Sequence, residues 1–360
     1  MYINLSLKNI AYLLICAIGL GWIMHIGSFL IVPLVYALFI AILLRPLVNG
    51  LEKYLKWRSL AIFASFILVF IPFSIITGLV SYQLLSIVDG LPSIGDNLKV
   101  GIDTLQNALN GFLPPSLVLK PDQLSGQLGN ILSGPISILG KGMIISSNIL
   151  VGMTMTVIYT SFILLYSKSF KNFVIFQYEK MYRTDVKKVL GKIQEIIQHY
   201  ISGMLLVIVV LSFINSLGLY IIGIEYAIFW GILAGLLAII PYIGTLIGGL
   251  LPFLYALATT GSTWQPIAVL LMYGVVQQLE GNLITPKVVG DKVNVNPFAA
   301  IIALLFFGTL WGIGGVILAL PCISIIRIIL NEFEATKPIS ILLGADIGNN
   351  AYEFKRLAQA

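Results

Sequence analysis

Long apolar runs, each bounded by charged or turn residues, are the dominant pattern along this chain. They occupy 10–25, 29–44, 60–82, 143–166 and 201–222. A helix of ~18 to 20 apolar residues crosses a ~30 Å hydrocarbon core with its backbone hydrogen bonds satisfied internally. The pattern therefore predicts transmembrane helices. The first run resembles the apolar part of a signal peptide, but no small-residue cleavage site follows it and a second apolar run begins almost at once. It reads as a retained span, with His25 an interfacial histidine near its outer end.

Two segments carry a different pattern. Residues 83–142 are rich in Gly, Pro, Ser and Asn, yet Ile94, Leu98, Ile102, Leu105 and Leu109 recur at helical spacing. This predicts at least one amphipathic helix in a folded connector. Residues 168–199 contain the stripe Val186, Val189, Leu190, Ile193, Ile196 and Ile197, with Lys187, Lys188 and Lys192 on the other side. Such a helix can lie along the headgroups with its lysines toward anionic lipid.

After residue 222 the apolar stretches shorten and are interrupted. Residues 226–258 contain Pro241, Gly244, Gly248 and Gly249 in their middle. Split at Pro241, they give arms of ~22 and ~25 Å, both shorter than the hydrocarbon core. Residues 297–328, opening at Pro297, repeat the arrangement around Gly312, Gly314 and Gly315 with a further Pro321. Paired interrupted segments are the signature of discontinuous helices or re-entrant hairpins beside a substrate site. Their backbone groups are tolerated at membrane depth only where protein or a water-filled cavity receives them.

Between the two lies a polar strip over 264–296. It begins as a span and then runs through Gln277, Gln278, Glu280, Asn282, Thr285, Pro286 and Lys287 to Asp291, Lys292, Asn294 and Asn296. Tyr273, Gln277 and Glu280 share a helix face at i, i+4 and i+7, and Gln278 lies beside Asn282. A carboxylate within the bilayer costs ~2.5 to 3.5 kcal/mol on insertion scales. Glu280 must therefore face a cavity, pair with a cation such as Lys287 or Lys292, or be protonated. Asn215, inside the fifth span, reaches the cavity or bridges helices. Glu225, at that span's outer end, reads as a solvated loop carboxylate.

Composition agrees with a membrane chain: 58% of the 360 residues are hydrophobic and only 10% charged, far from the soluble average of about a quarter charged. Charge then sets orientation. The loop 45–58 holds Arg45, Lys53, Lys56 and Arg58 against Glu52, and 168–199 is also strongly basic, whereas 83–142 has an acidic excess. Short cytoplasmic loops carry the Lys and Arg excess, so the first two lie inside and the third outside. The net charge of +6 accordingly reads as topology and contact with anionic membrane lipids, not as nucleic-acid binding. Cys16 and Cys322 sit in apolar runs and read as small hydrophobes, with no disulfide or metal role.

The runs Pro241-Tyr-Ile-Gly-Thr-Leu-Ile-Gly-Gly249 and Glu280-Gly-Asn-Leu-Ile-Thr-Pro-Lys-Val-Val-Gly290, with Asn296-Pro297, the glycines from Gly312 to Pro321, and Leu43-Leu-Arg-Pro-Leu47, resemble the autoinducer-2 exporter family of bacterial transporters. The likeness covers most of the chain, with 83–142 least distinctive. It implies an all-α polytopic membrane protein of about eight membrane segments, two of them broken or re-entrant. It further implies homo-oligomeric assembly in the bacterial cytoplasmic membrane and export of small solutes, a quorum-sensing furanone in some members and sodium or lithium exchanged for protons in others.

The resulting organisation is three spans over 1–82, an extracytoplasmic segment over 83–142, and the fourth and fifth spans over 143–222 joined by a basic cytoplasmic helix at 168–199. A transport core over 223–330 and a cytoplasmic tail over 331–360 complete it, with both termini inside. No Gly-x-x-x-x-Gly-Lys-Ser/Thr loop occurs, so any pumping draws on a gradient, with no cofactor. The expected activity is secondary export of a small solute coupled to protons or sodium. A monovalent cation/proton antiporter and a passive pore are the alternatives. Thr245, Asn282 and Thr285 would contact solute or ion beside Gln277, Gln278 and Asn215, Glu280 would carry a proton or bind a cation, and Lys287 would balance charge. An intramembrane enzyme would need a nucleophile and base, an aspartate pair or a metal cluster at membrane depth. The aspartates fall in loops or the tail, so the chain reads as a non-enzyme.

Overall fold

The computed structural model describes residues 7–89, 147–240, 243–288, 295–334 and 336–345. The amphipathic connector expected over 83–142 therefore lies almost wholly outside the described residues, as do Pro241, Asp291, Lys292 and Asn294. The side chains of Thr285 and Pro286 are likewise outside them.

Among the described residues every extended element is helical. The order is α1 (Leu7–Ile26), α2 (Ser28–Leu55), α3 (Arg58–Asp89), α4 (Ser147–Leu165), α5 (Ser167–Phe176), α6 (Arg183–Ile222), α7 (Ala227–Leu237), α8 (Ile243–Thr259), α9 (Trp264–Leu279), a π-helical turn (Glu280–Ile284), a short α turn (Thr285–Val288), α10 (Pro297–Asn331) and α11 (Lys337–Leu343). Among the described residues five helices are long and apolar enough to cross a membrane, six if the bent pair α4 and α5 counts as one span, and α7 and α8 are shorter apolar helices. The chain is thus an all-α polytopic membrane protein. Its contacts divide it into two compact units, one of 1–68, 147–203 and 289–360 and the other of 69–146 and 204–288.

In the first unit α2, α3 and α4 pack through Ala41, Leu44 and Val48, Ala61 and Ile62, and Leu164. At the end of α4 the chain bends by 70° into α5. The bend frees carbonyls that α4 would have paired, and Arg58 takes one of them. Its Nε and Nη2 donate to Leu164 O at 3.1 and 2.9 Å. The basic stripe from Val186 to Ile197 is not a separate interfacial helix. It forms the first part of α6, which runs unbroken from Arg183 to Ile222, because no proline interrupts it. Ile197 is buried there against Phe39 and Leu318.

α10 is helical on both sides of Gly312, where φ 62° and ψ −144° leave the helical region. That conformation is essentially reserved for glycine. The chain doubles back there, as contacts at both ends prove. Asn296 Nδ2 donates to Leu342 O at 2.6 Å, while Arg327 Nε donates to Ser340 O at 3.1 Å. A straight helix would hold Asn296 and Arg327 ~46 Å apart, far beyond what two neighbouring residues of α11 can bridge. Ala303 and Phe307 of the first arm instead pack on Ala319 of the second. Asn296 also caps the first arm, accepting from Ala299 N at 2.7 Å, with Pro297 at the first helical position where its missing N–H costs nothing.

The groups released by the turn are received by α1 and α2. Tyr36 OH donates to Gly314 O at 2.9 Å, Trp311 Nε1 donates to Met24 O at 3.0 Å, and His25 Nδ1 lies 3.2 Å from Leu310 O. His25 is therefore more than an interfacial side chain. A Cβ at Gly315 would meet the Phe307 carbonyl, whereas one at Gly314 would make only ordinary contacts. Pro321 is buried in the second arm.

Gly312→Ala is expected to destabilise the protein by roughly 1–3 kcal/mol through backbone strain alone, since a Cβ there meets open space. Gly314→Ala should be neutral. Thermal unfolding of both variants in detergent checks the contrast, and equal midpoints would contradict the turn.

Candidate functional site

The second unit is built by close helix approach. α7 lies antiparallel on α6, where a Cβ on Gly231 or Gly235 would collide with Ser216 and Ser212. Small residues four apart let membrane helices touch through their backbones. α8 folds back on α7 in turn, because Gly244 sits directly on the Leu237 carbonyl and Gly248 on Ala234. The broken segment of 226–258 is thus a helical hairpin whose arms, ~16 and ~25 Å long, are each too short to cross alone. Gly249 brings α8 against the Tyr273 ring of α9. At the far end, Tyr255, packed edge-on to Tyr226, donates its OH to Glu225 Oε2 at 3.2 Å. Glu225 is exposed, as expected of a loop carboxylate, and also accepts this hydrogen bond.

Where these helices meet, Leu211 and Asn215 of α6, Ala234 of α7, Thr245 of α8, Tyr273, Val276 and Gln277 of α9, and Glu280 enclose a cavity of about 10 Å³. Four of the predicted site residues, Asn215, Thr245, Gln277 and Glu280, converge here from three helices and the π-helical turn. Asn215 is 3% exposed, and among the described residues its Oδ1 and the Tyr273 OH have no hydrogen-bond partner. Glu280 is half-buried. Among the described residues no ion pair reaches it, and the exposed Lys287 lies outside the cavity lining.

Gln278 and Asn282 point elsewhere. Asn282 Nδ2 donates to Gln278 Oε1 at 3.0 Å, and both line an open, mostly apolar groove with Leu270, Leu271 and Val275. Beyond α9 the chain leaves the α-helix: Pro286 has no N–H to offer the Asn282 carbonyl, and Gly281 adds little helical preference. The backbone widens into the π turn Glu280–Ile284, a distortion often found at functional sites. The α-helical face Tyr273, Gln277, Glu280 therefore ends where the turn begins. Tyr273 completes the cavity at the position that spacing assigns it.

Chemically, the lining offers an amide oxygen, two hydroxyls, a second amide and a carboxylate. Such hard oxygen donors suit a small cation, a hydronium or a water, and do not suit a soft metal. The space is about that of one water molecule.

A family model for AI-2E family transporters matches residues 10–335. The chain belongs to the AI-2E family. It is a multi-pass membrane transport protein. This AI-2E transporter is 25% identical to "Putative transport protein YhhT" of Escherichia coli over 89% of each chain. YrrI of Bacillus subtilis carries the same designation and is 25% identical over 84% of this chain and 86% of its own. The AI-2 transport protein TqsA of Escherichia coli is 23% identical over 87% of this chain and 89% of its own.

Tyr273→Phe removes a buried hydroxyl that has no partner among the described residues. It is expected to leave stability unchanged or raise it by up to roughly 1–2 kcal/mol. A lowered unfolding midpoint in detergent would show that the hydroxyl is hydrogen-bonded.

Proposed function

We propose that this transporter exports a small organic solute, an autoinducer-2-like furanone or a related metabolite, across the bacterial cytoplasmic membrane by exchange with protons or sodium. The observation that carries the reading is the convergence of Asn215, Thr245, Tyr273, Gln277 and Glu280 on one cavity, with a carboxylate that has no ion-pair partner among the described residues. A charged carboxylate in a span is costly unless a bound cation or proton neutralises it. The cavity volume supports the coupling role: about 10 Å³ admits an ion or a water but no furanone. Glu280 is then the coupling group, and the solute occupies a path that widens in another conformation of the hairpin helices.

The same volume favours monovalent cation/proton antiport as the second reading, in which no organic solute takes part. The furanone assignment is supported by the name of TqsA and by family membership. The proposal includes assembly from several copies of this chain and, from the basic loops at 45–58 and 168–199, both termini in the cytoplasm.

Proteoliposomes loaded with a solute panel, with and without imposed pH and sodium gradients, test the reading. Glu280→Gln should lower gradient-driven flux at least ~10-fold, the equivalent of ~1.4 kcal/mol, while folding and assembly persist. Unchanged coupled flux would overturn the assignment of Glu280. Gradient-insensitive flux that rises linearly with concentration would identify a passive pore, and sodium/proton exchange without solute would establish the antiporter.

A further inference from the structure

Another polar cavity, of about 330 Å³, opens within the first unit at the C-terminal end of α2. Arg45, Asn49, Glu52 and Lys53 reach it from α2, Arg58 from the start of α3, and Ser167 and Lys168 from the elbow between α4 and α5. Its depth is fixed by the sequence. No Asp, Glu, Lys or Arg occurs in 9–44, 59–88 or 142–167. The cavity therefore sits where three apolar runs leave the hydrocarbon.

Its charge is unbalanced. Arg58 Nη1 pairs with Glu52 Oε2 at 3.0 Å, and Arg58 Nη2 also donates to Ser167 Oγ at 3.1 Å. That guanidinium is committed to structure. Arg45 gives Nη1 to the neutral Gln194 Oε1 at 2.7 Å and keeps its charge uncompensated. Among the described residues, neither Lys53 nor Lys168 has an ion-pair partner. Three positive charges thus face one cavity. Ser167 and Lys168 also open α5, a ten-residue helix, so its N-terminal backbone amides add favourable potential for an anion.

Exposed apolar and aromatic side chains lie on the same elements beyond the lining: Phe170, Phe173 and Phe176 on α5, Tyr54 in the last turn of α2, and Trp57 just after it. A helix turned 70° from its spanning neighbour, with phenylalanines on one side and Lys168 and Lys171 on another, has the form of an interfacial helix. Exposed Tyr and Trp at this level belong to the headgroup belt. We propose that the cavity binds the phosphate headgroup of an anionic phospholipid. Arg45, Lys53 and Lys168 receive the phosphate oxygens, Asn49 bonds the headgroup alcohol, and the acyl chains run along the exposed aromatic side chains of α5. Those exposed side chains, with Tyr54 and Trp57, are what favour lipid over soluble phosphate, which would gain nothing from them. The inference stands independently of the solute and the coupling ion.

Native mass spectrometry of the full-length protein in detergent, after exposure to phosphatidylglycerol or phosphatidylcholine, tests it. Wild type should retain phosphatidylglycerol in preference to phosphatidylcholine. The double variant Lys53→Gln/Lys168→Gln should retain at least ~10-fold less, since each lysine near the membrane surface attracts anionic lipid. Lys53→Arg/Lys168→Arg should restore retention, and Lys187→Gln, on exposed α6, should leave it unchanged. Both lysines are exposed, so the variants keep their fold, which unfolding midpoints verify. Equal retention by the double Gln variant, equal retention of the two lipids, or displacement of phosphatidylglycerol by millimolar inorganic phosphate would each overturn the lipid assignment.

Discussion

Everything in this structure depends on one requirement: a backbone group at membrane depth must find its hydrogen bond within the protein. An unbroken helix meets it automatically. A helix that stops or turns inside the apolar region does not, and this chain turns at Gly312 and again between α7 and α8. At Gly312 the debt falls on α1 and α2. Tyr36 donates to Gly314 O, and His25 reaches Leu310 O. These polar side chains occupy otherwise apolar helices because the turn needs them. At the end of α7 the answer is tighter winding: Ile239 N donates to Leu236 O at 3.3 Å and Ile240 N to Leu237 O at 2.9 Å, both three residues back.

The same requirement explains the placement of glycine. A hairpin inside a bilayer gains no hydrophobic free energy from pairing its arms, since lipid is as apolar as leucine. Close van der Waals approach must hold it. Gly231, Gly235, Gly244 and Gly248 each occupy a point where a methyl group would strike the neighbouring backbone or side chain. α6, α7 and α8 are thereby held near enough for Asn215 and Thr245 to face Glu280 across a space of molecular dimension.

Much of this was legible in the chain, and the illegible part has physical reasons. The break expected around Pro241 followed from that proline and the short arms beside it, the turn at Gly312 from the cluster Gly312, Gly314 and Gly315, and the face Tyr273, Gln277, Glu280 from helical spacing. Two features were not legible. α6 is one helix from Arg183 to Ile222, because an amphipathic stretch and an apolar stretch can share a helix when nothing between them breaks it. Hydropathy locates the change of environment, not a change of conformation. The second was where the polar strip's two faces lead. Spacing pairs Gln278 with Asn282 and groups Gln277 with Glu280, but which face meets other helices depends on tertiary packing. Gln277 and Glu280 line the cavity, while Gln278 and Asn282 open on the apolar groove. The partners of His25 and Trp311 were equally hidden, because each lies more than 280 residues away.

The geometry around Glu280 also bears on how exchange could work under the proposed reading. One carboxylate in a space of about 10 Å³ can be neutralised by one proton or by one monovalent cation, and the volume leaves no room for both. Occupancy is therefore exclusive, which is the minimum condition for exchanging one ion for the other. A cation would draw on the Asn215, Thr245 and Tyr273 oxygens around the carboxylate, and a proton would need only the carboxylate itself. The neutral ligands thus set the preference between the two ions without altering the charge that must be cancelled. In that scheme Glu280 makes coupling obligatory, and its neighbours decide which ion supplies the gradient.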